Sequence, residues 1–357
     1  MMVNRKRDES GVALLVVLLA ITLLTITVVE FTYSTQVETR LARGTRNSLQ
    51  AYYLARSGVN LAEAILIRDT QLSGAVDSEL DIWAQPLPPL PLGDGTIMLR
   101  VQDEARFLNV NALAKEIGDS PDLNPERRAF TGIFSILGFD PRIRSALIDW
   151  LDPNDRPEKS PPGAEQPFYL GLQPPVAVRD DMIADLRELL GVRDMTPEIL
   201  AKLSNFVTVV FDPDEKVPFR VNINTAPAEV LMALSPGLAG DPAAVQGLLT
   251  ARAEQAFNGE GSLRERAPRA AAILEADDTT AGGTIWSDVL AYASTYFRIE
   301  AVGTVAGTSR GVTTVVRRSG SPAQVTRISW SPRVSQLALT TLPPSDFLEA
   351  LPPLVGG

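Results

Sequence analysis

The chain has 357 residues, a net charge of −10 and 45% hydrophobic residues, which suffices for two folded domains with an acidic surface. It contains no cysteine and no histidine, which excludes disulfides, thiolate and imidazole metal sites, and catalysis by either residue. An acidic surface repels phosphate, so a general nucleic-acid-binding role is disfavoured. Carboxylate, lysine or serine chemistry and oxygen-bound hard cations remain.

The first element is an uncharged apolar segment from Val12 to Val29, preceded by Arg5, Lys6 and Arg7. Its length is close to the roughly 20 helical residues that cross a membrane, and the preceding cations predict a cytoplasmic N-terminus. A cleaved secretory signal is the alternative interpretation. Because the apolar run is long and no small-x-small cleavage site follows it, we predict a membrane-spanning helix instead.

This helix is predicted to continue, in amphipathic form, to about Arg68. No proline lies between Phe31 and Arg68, and small or apolar residues recur along this stretch in steps of three and four. They are Leu41, Thr45, Leu49, Tyr52, Ala55, Val59, Ala62 and Leu66. A helix of roughly 55 residues would be about 80 Å long, which an anchor alone does not require.

A short basic leader ending in Gly11, the apolar helix and its amphipathic continuation together resemble type IV prepilins and pseudopilins. The resemblance implies that prepilin peptidase cuts between Gly11 and Val12 and methylates the new N-terminus. Most members have Phe at the first and Glu at the fifth mature position, whereas this chain has Val12 and Val16. The family's glutamate pairs with the N-terminus of the neighbouring subunit, so a chain without it suits the tip of a filament.

The next elements are strands that stand on either side of a long helical region. The proline-rich connector Gln85–Pro91 leads into a strand with Ile97, Leu99 and Val101 on one face. Three more strands are predicted near the C-terminus, at Tyr296–Val305, Gly311–Arg318 and Gln324–Trp330. Turn residues separate them, so we expect an antiparallel meander packed on the long helix.

Between Asn109 and about Ser287 the pattern predicts helices, several of which begin near a proline. They are Pro125–Leu137, Pro141–Leu151, Asp180–Leu190, Pro197–Phe206, Pro227–Leu234, Pro242–Phe257 and Trp286–Tyr292. Thr225 is expected to cap the fifth of these helices, which starts at Pro227. A helical block of this size inside a β region indicates an inserted domain.

This layout resembles the K-type minor pseudopilins of the type II secretion system over nearly the whole chain. The stretches that carry the resemblance are "DEARFLNVNALA", "ALIDWLDPNDRPEKSPPGAEQPFY", "LRELLGV", "FVTVVF" and "VNINTAPAEVLMAL". It implies an α+β fold in which a pilin-like long N-terminal helix packs on an antiparallel sheet and a large all-α domain is inserted in the sheet region.

The predicted division of the chain follows from these elements. It begins with a prepilin leader at 1–11, followed by the transmembrane half of the long helix at 12–30 and its periplasmic amphipathic half at 31–70. A pilin-like α/β body follows at 71–108 and 288–335, and a mobile tail ends the chain at 336–357. The inserted helical domain is at 109–287, with a helix-hairpin-helix-like part at 221–257.

The densest acidic cluster lies in "IDWLDPNDRPEKSPPGAE", at a helix end and in the loop that follows it. Its candidate ligands for a cation are Asp149, Asp152, Asn154, Asp155 and Glu165. Oxygen ligands on a loop suit Ca²⁺, although the spacing is not that of an EF-hand. From the residues alone, turn hydrogen bonds and solvated charges explain the cluster equally well. The resemblance to K-type pseudopilins implies calcium.

The sequence disfavours two other chemistries. A carboxylate pair could serve a glycosidase, but an aromatic content of 6% offers no evident sugar platform. The segment at 221–257 resembles a DNA-binding helix-hairpin-helix, but no Lys or Arg adjoins the hairpin, so a scaffold or protein-binding role is favoured.

The resemblance implies a non-enzymatic minor pseudopilin at the tip of the type II secretion pseudopilus, which initiates or caps its assembly for export of folded proteins from the periplasm. The implied location is a single pass in the bacterial inner membrane with a periplasmic C-terminal domain. Implied partners are the I-, J- and H-type minor pseudopilins, the prepilin peptidase and the inner-membrane assembly platform. The alternatives are a minor pilin of a type IV pilus and a membrane-anchored periplasmic carboxylate hydrolase.

Overall fold

The structure is a computed structural model that describes residues 9–72, 74, 76–114, 124–212, 219–281 and 289–332. Its helices are α1 Glu9–Leu72, α2 Pro125–Ile136, α3 Pro141–Leu151, α4 Gln166–Leu170, α5 Pro197–Leu203, α6 Ala228–Leu234, α7 Pro236–Ala239, α8 Pro242–Glu254, α9 Glu260–Arg266 and α10 Pro268–Ala281. Its strands are β1 Leu90–Leu92, β2 Gly95–Asp103, β3 Leu108–Asn109, β4 Val207–Thr208, β5 Val221–Asn222, β6 Leu290–Ala291, β7 Tyr296–Val305, β8 Thr308–Ser319 and β9 Gln324–Arg327.

The helix α1 is continuous over 64 residues, as the absence of proline predicts, and is roughly 95 Å long at about 1.5 Å per residue. Its residues 11–46 are exposed. Side chains that are fully buried recur at Ala51, Ala55, Val59, Ala62 and Leu66, in steps of three and four. The predicted stripe therefore packs only in its second part.

The start of that stripe was predicted too early in the chain. Leu41 and Leu49 are 67% and 55% exposed, although they have the spacing of the buried face. Helical periodicity marks the face of a helix but not the point along its length at which another element begins to cover it. The sheet reaches α1 only from about Ala51 onward.

The sheet has five strands in the order β1-β2-β7-β8-β9, and every neighbouring pair is antiparallel. The helix α1 lies close against its centre because two glycines leave room. A Cβ atom on Gly303 would lie 2.1 Å from the Ala51 carbonyl oxygen, and one on Gly58 would lie 2.7 Å from Cγ2 of Ile97. The core beneath α1 also includes Leu99, Phe297, Ile299, Ala301, Val312 and Val316.

The helices α2 to α10 lie in the chain between β2 and β7, which are adjacent in the sheet. They form a separate hydrophobic core whose largest buried side chains include Phe130, Tyr169 and Phe257. This confirms the predicted pilin-like α+β fold with a helical insertion. Two short parallel pairs, β3 with β4 and β5 with β6, add a minor β component to the insertion that the prediction of an all-α domain lacks.

Local predictions within the insertion were wrong at three points. The predicted helix Asp180–Leu190 is only a 3₁₀ turn at Leu186–Gly191, capped by Asp185. The predicted helix Trp286–Tyr292 contains strand β6 among its described residues. Thr225 does not cap α6, which begins after Pro227, because its hydroxyl donates instead to Asp103 Oδ2 at 2.6 Å.

Other predicted segments lie outside the described residues or stay untested. The leader at 1–11 is described only from Glu9, and the predicted mobile tail at 336–357 lies wholly outside the described residues. The exact division into domains stays a prediction.

Candidate functional site

The acidic loop predicted as a cation site lies between α3 and α4. Asp149 belongs to the last turn of α3, Asp152 is its C-cap, and Glu165 is the N-cap of α4. The loop therefore starts and ends at acidic residues. All three are buried, with exposed fractions of 0%, 1% and 6% respectively. Burial of three carboxylates in one region is costly unless charge or hydrogen bonds compensate them.

Each of these carboxylates keeps one oxygen without a hydrogen-bond partner. The unpartnered atoms are Asp149 Oδ2, Asp152 Oδ1 and Glu165 Oε1. The other oxygens of the two aspartates are held: the Glu158 N–H donates to Asp149 Oδ1 at 2.9 Å, and Arg127 Nη2 lies 3.2 Å from Asp152 Oδ2. Unpartnered buried carboxylate oxygens are the donor set that a hard cation binds.

The electrostatics of the loop also favour a bound cation. Burial raises the pKa of Asp149 and of Asp152 to about 6. Burial, together with the charges of Asp149 and Asp152, raises the pKa of Glu165 to about 7. The ionised forms therefore destabilise one another in this region, and a divalent cation would reverse that effect.

The backbone of the acidic loop approaches its carboxylates closely. A Cβ atom at Gly163 would lie 1.8 Å from Asp149 Oδ2, so only glycine fits there without displacing the carboxylate. Of the other predicted ligands, Asn154 uses its side-chain oxygen to accept the Arg156 N–H at 2.9 Å, and Asp155 is exposed. The structure thus brings three of the five predicted residues into the buried cluster and leaves two at its margin.

A second acidic group is more compact than the acidic loop, and an arginine side chain already supplies positive charge to it. Among the described residues, Asp69, Asp77 and Asp81 are the group whose three carboxylate oxygens all lie within 4.8 Å of one another; those of the acidic loop lie further apart. Arg318 lies 3.4 Å from Asp69 and 2.5 Å from Asp77. Its guanidinium supplies the positive charge, so this group is a structural ion-pair cluster rather than a candidate metal site.

The exposed N-terminal half of α1 is the other candidate functional element. Over residues 11–46 every side chain is exposed, and the uncharged part is apolar and long enough to cross a membrane. Thr22, Thr25 and Thr27 donate their hydroxyls to carbonyls of the preceding turn, which satisfies these polar groups within the helix. The segment is compatible with a single-pass membrane anchor.

Two family models, both described as type II secretion system (T2SS), protein K, match residues 106–213 and 221–277. The type II secretion system protein K of Pseudomonas aeruginosa is 29% identical over 262 residues, which is 71% of this chain and 75% of that protein. The one from Aeromonas hydrophila is 27% identical over 315 residues, or 85% of this chain and 91% of that protein. By these matches the chain is similar to type II secretion system protein K over most of its length.

A solved structure shows the same fold. It is the crystal structure of the GspK-GspI-GspJ complex from the enterotoxigenic Escherichia coli Type 2 Secretion System, and one of its chains aligns with a TM-score of 0.67 at 21% identity. The alignment covers 82% of this chain and 99% of that chain. The similarity to protein K supports a pseudopilin, a structural component of the secretion machinery, and favours this machinery over a type IV pilus.

The helix-hairpin-helix-like part at 221–257 is closed to phosphate. The Gly237 N–H at the hairpin donates to Asp277 Oδ2 at 3.1 Å, and Ser235 Oγ also donates to that oxygen. A carboxylate already occupies the position at which a DNA-binding hairpin would bind phosphate. The geometry agrees with the scaffold role that the sequence favoured for 221–257.

A buried polar network that the sequence did not predict lies where the insertion joins the sheet. Asp103, at the end of β2, accepts hydrogen bonds from Thr225, Ser294 and Asn222 at 2.6, 2.7 and 3.2 Å. The Asn222 amide also donates to the Asp77 carbonyl at 3.0 Å. The only signal in the sequence was the alternation of Asn222 with apolar residues, which predicted a strand but not a partner.

Proposed function

We propose that the chain is the minor pseudopilin at the tip of the type II secretion pseudopilus, where it initiates or caps assembly. The observation that carries the proposal is the insertion of nine helices between β2 and β7 in the described part of a pilin-like fold. An insertion of this size would crowd subunits stacked beyond it, so a terminal position suits the chain. The apolar residue at Val16, where most type IV prepilins and pseudopilins have an acid, supports the same position.

The proposed role is structural, and its partners are other minor pseudopilins. The related E. coli chain was solved in a complex with GspI and GspJ, which supports I- and J-type partners for this chain, with an H-type subunit and the inner-membrane assembly platform as further contacts. Co-purification of the full-length chain with tagged I- and J-type proteins from the same bacterium tests this. Failure to recover a ternary complex in detergent would contradict the proposed tip assembly.

The exposed half of α1 is proposed to anchor the chain in the inner membrane before it enters the filament, with the basic leader in the cytoplasm. Prepilin peptidase is proposed to cut between Gly11 and Val12 and to methylate Val12. Gly11→Ala should block cleavage when the peptidase is co-expressed, as mass spectrometry of the N-terminus would show. Gly44→Ala is the matched control, because Gly11 and Gly44 both lie in α1 with no atom within 4 Å of an added Cβ.

The acidic loop is proposed to bind Ca²⁺ through Asp149, Asp152 and Glu165, with Asn154 and Asp155 completing the predicted ligand set. The three unpartnered buried oxygens support this assignment, and a bound cation would offset the mutual repulsion of the carboxylates. The cation would join the end of α3 to the start of α4. Its role would therefore be to stabilise the insertion.

Thermal unfolding of the full-length chain in detergent tests the calcium proposal. We expect a lower melting temperature in EGTA than in excess Ca²⁺, since a ligand that binds only the folded state stabilises it by mass action. Mg²⁺ should restore less stability, because it accepts the geometry of a flexible carboxylate loop less readily. An unchanged melting temperature after Ca²⁺ is added back would contradict the proposal.

A further inference from the structure

Arg127 connects the first turn of α2 to the acidic loop. Its backbone N–H is capped by Asn124 Oδ1 at 3.0 Å, and its side chain is only 11% exposed. Nη2 lies 3.2 Å from Asp152 Oδ2, and Nη1 donates to Glu158 Oε1. One guanidinium therefore bridges two carboxylates that lie six residues apart in the loop.

This bridge determines which carboxylate oxygens remain available. Arg127 occupies Oδ2 of Asp152 and leaves Oδ1 without a partner. Glu158, which Arg127 holds by its side chain, donates its own backbone N–H to Asp149 Oδ1 and leaves Oδ2 of Asp149 without a partner. In both aspartates, one oxygen is fixed by the protein and the other is left for a ligand.

We propose that Arg127 is a positioning residue for the cation loop: it orients Asp152 directly, and Asp149 through Glu158, for monodentate binding of a divalent cation. The inference deepens the calcium proposal and rests on it. Groups that orient ligating carboxylates typically change metal affinity by about 10- to 100-fold when they are removed. The planar fork of arginine can hold two carboxylates at once, which the single ammonium of lysine cannot do in the same geometry.

An opposite effect would follow if Arg127 were a competing counter-cation. In that case its positive charge would substitute for the metal ion, and its removal would strengthen Ca²⁺ binding. The direction of the change in affinity therefore distinguishes orientation from competition.

The test is isothermal titration of Ca²⁺ into the full-length chain in detergent, for wild type and for Arg127→Ala, Arg127→Lys and Arg128→Ala. Arg128 is the matched control, because it adjoins Arg127 on α2 and forms no ion pair with the described residues. We expect the Kd to rise about 10- to 100-fold for both Arg127 variants and to change less than about 2-fold for Arg128→Ala. An unchanged or lower Kd for Arg127→Ala would overturn the inference.

Three further observations separate the possible failures. If wild type binds no Ca²⁺, the calcium proposal and the inference fall together; if wild type binds and Arg127→Ala binds equally, only the inference falls. If Arg127 has a purely structural role, Arg127→Ala changes the melting temperature of the cation-free protein, measured in EGTA, but not the Kd for Ca²⁺. If Arg127→Ala does not fold, Glu158→Gln replaces it, because it weakens the bridge but keeps the N–H to Asp149, and an unchanged Kd for it would likewise overturn the inference.

Discussion

Arg318 on β8 and Asp77 in the segment after α1 form a buried ion pair, with Nη2 lying 2.5 Å from both carboxylate oxygens. Their side chains are 8% and 1% exposed. Asp77 also accepts the Ser294 N–H at 2.7 Å, and its own N–H donates to the Tyr292 carbonyl at 2.9 Å. The pair thus joins the segment that follows α1, the end of β8 and the chain that returns from the insertion.

We expect Arg318→Met to lower the free energy of unfolding by about 3–5 kcal/mol, because it leaves Asp77 and Asp69 buried without their cation. Urea unfolding of the full-length chain in detergent, followed by circular dichroism, measures the change. The control is Arg142→Met, which removes a pair with Asp140 whose side chains are 58% and 42% exposed. That variant should leave the free energy of unfolding nearly unchanged, because solvent screens an exposed ion pair. Equal effects of the two variants would contradict the prediction.

Gly303→Ala should separate α1 from the sheet. The added Cβ would lie 2.1 Å from the backbone oxygen of Ala51, and backbone cannot rotate away as a side chain can. We expect a loss of about 1–3 kcal/mol, measured by the same unfolding experiment. Gly261→Ala in α9 is the control, since an added Cβ there meets no atom within 4 Å and alanine favours helix. A Gly303→Ala variant as stable as Gly261→Ala would show that the contact is not tight.

Asp103→Asn should change how stability depends on pH. Burial raises the pKa of Asp103 from 3.8 to about 6, although Thr225 and Ser294 donate hydrogen bonds to it. A carboxyl with a raised pKa in the folded state stabilises the fold fully below about pH 4 and loses that contribution as the pH rises through about 6. Between pH 4 and pH 7 the stability of wild type should therefore fall by about 2–3 kcal/mol relative to Asp103→Asn. If the stabilities of wild type and Asp103→Asn change in parallel between pH 4 and pH 7, the effect is ruled out.

Glu165→Gln should have opposite effects in EGTA and in Ca²⁺. Its raised pKa of about 7 arises from burial and from the charges of Asp149 and Asp152, so at pH 8 the ionised side chain destabilises the cation-free fold. The variant should melt higher than wild type in EGTA and show a smaller increase on addition of Ca²⁺. The exposed Glu265 provides the control substitution, Glu265→Gln, which should respond to Ca²⁺ as wild type does. A lower melting temperature of Glu165→Gln in EGTA would contradict the repulsion argument.

Regular patterns in the sequence were sufficient to predict most of the sheet and α1. The strand Tyr296–Val305 was predicted with its observed bounds, because alternation and flanking turn residues are local properties. The strand predicted at Gly311–Arg318 spans Thr308–Ser319 in the structure. It is longer because its pairing with β7 begins at Thr308, beyond the apolar core of the strand. Pairing with a neighbour extends strands past the residues whose pattern identifies them.

Helices α9 and α10 were not predicted from the sequence, nor were the contacts of Arg266 in α9. Arg266 donates to the carbonyls of Ala251, Gln255 and Ala256, and its guanidinium carbon lies 4.4 Å from the Phe257 ring centre. It thereby satisfies carbonyls at the C-terminal end of α8. Charge composition does not reveal which cations are used in this way.

By itself, the sequence determined the uninterrupted α1 with its apolar N-terminal half, the antiparallel strands and the place of the acidic loop, because each of these is recorded in the spacing of neighbouring residues. Only the tertiary structure decided that α1 packs from Ala51 onward, that Arg318 neutralises Asp77, and that Arg127 holds Asp152. The physical reason is that these contacts join residues distant in the chain. A local pattern shows which side chains are apolar or charged, and the folded chain decides which of them meet.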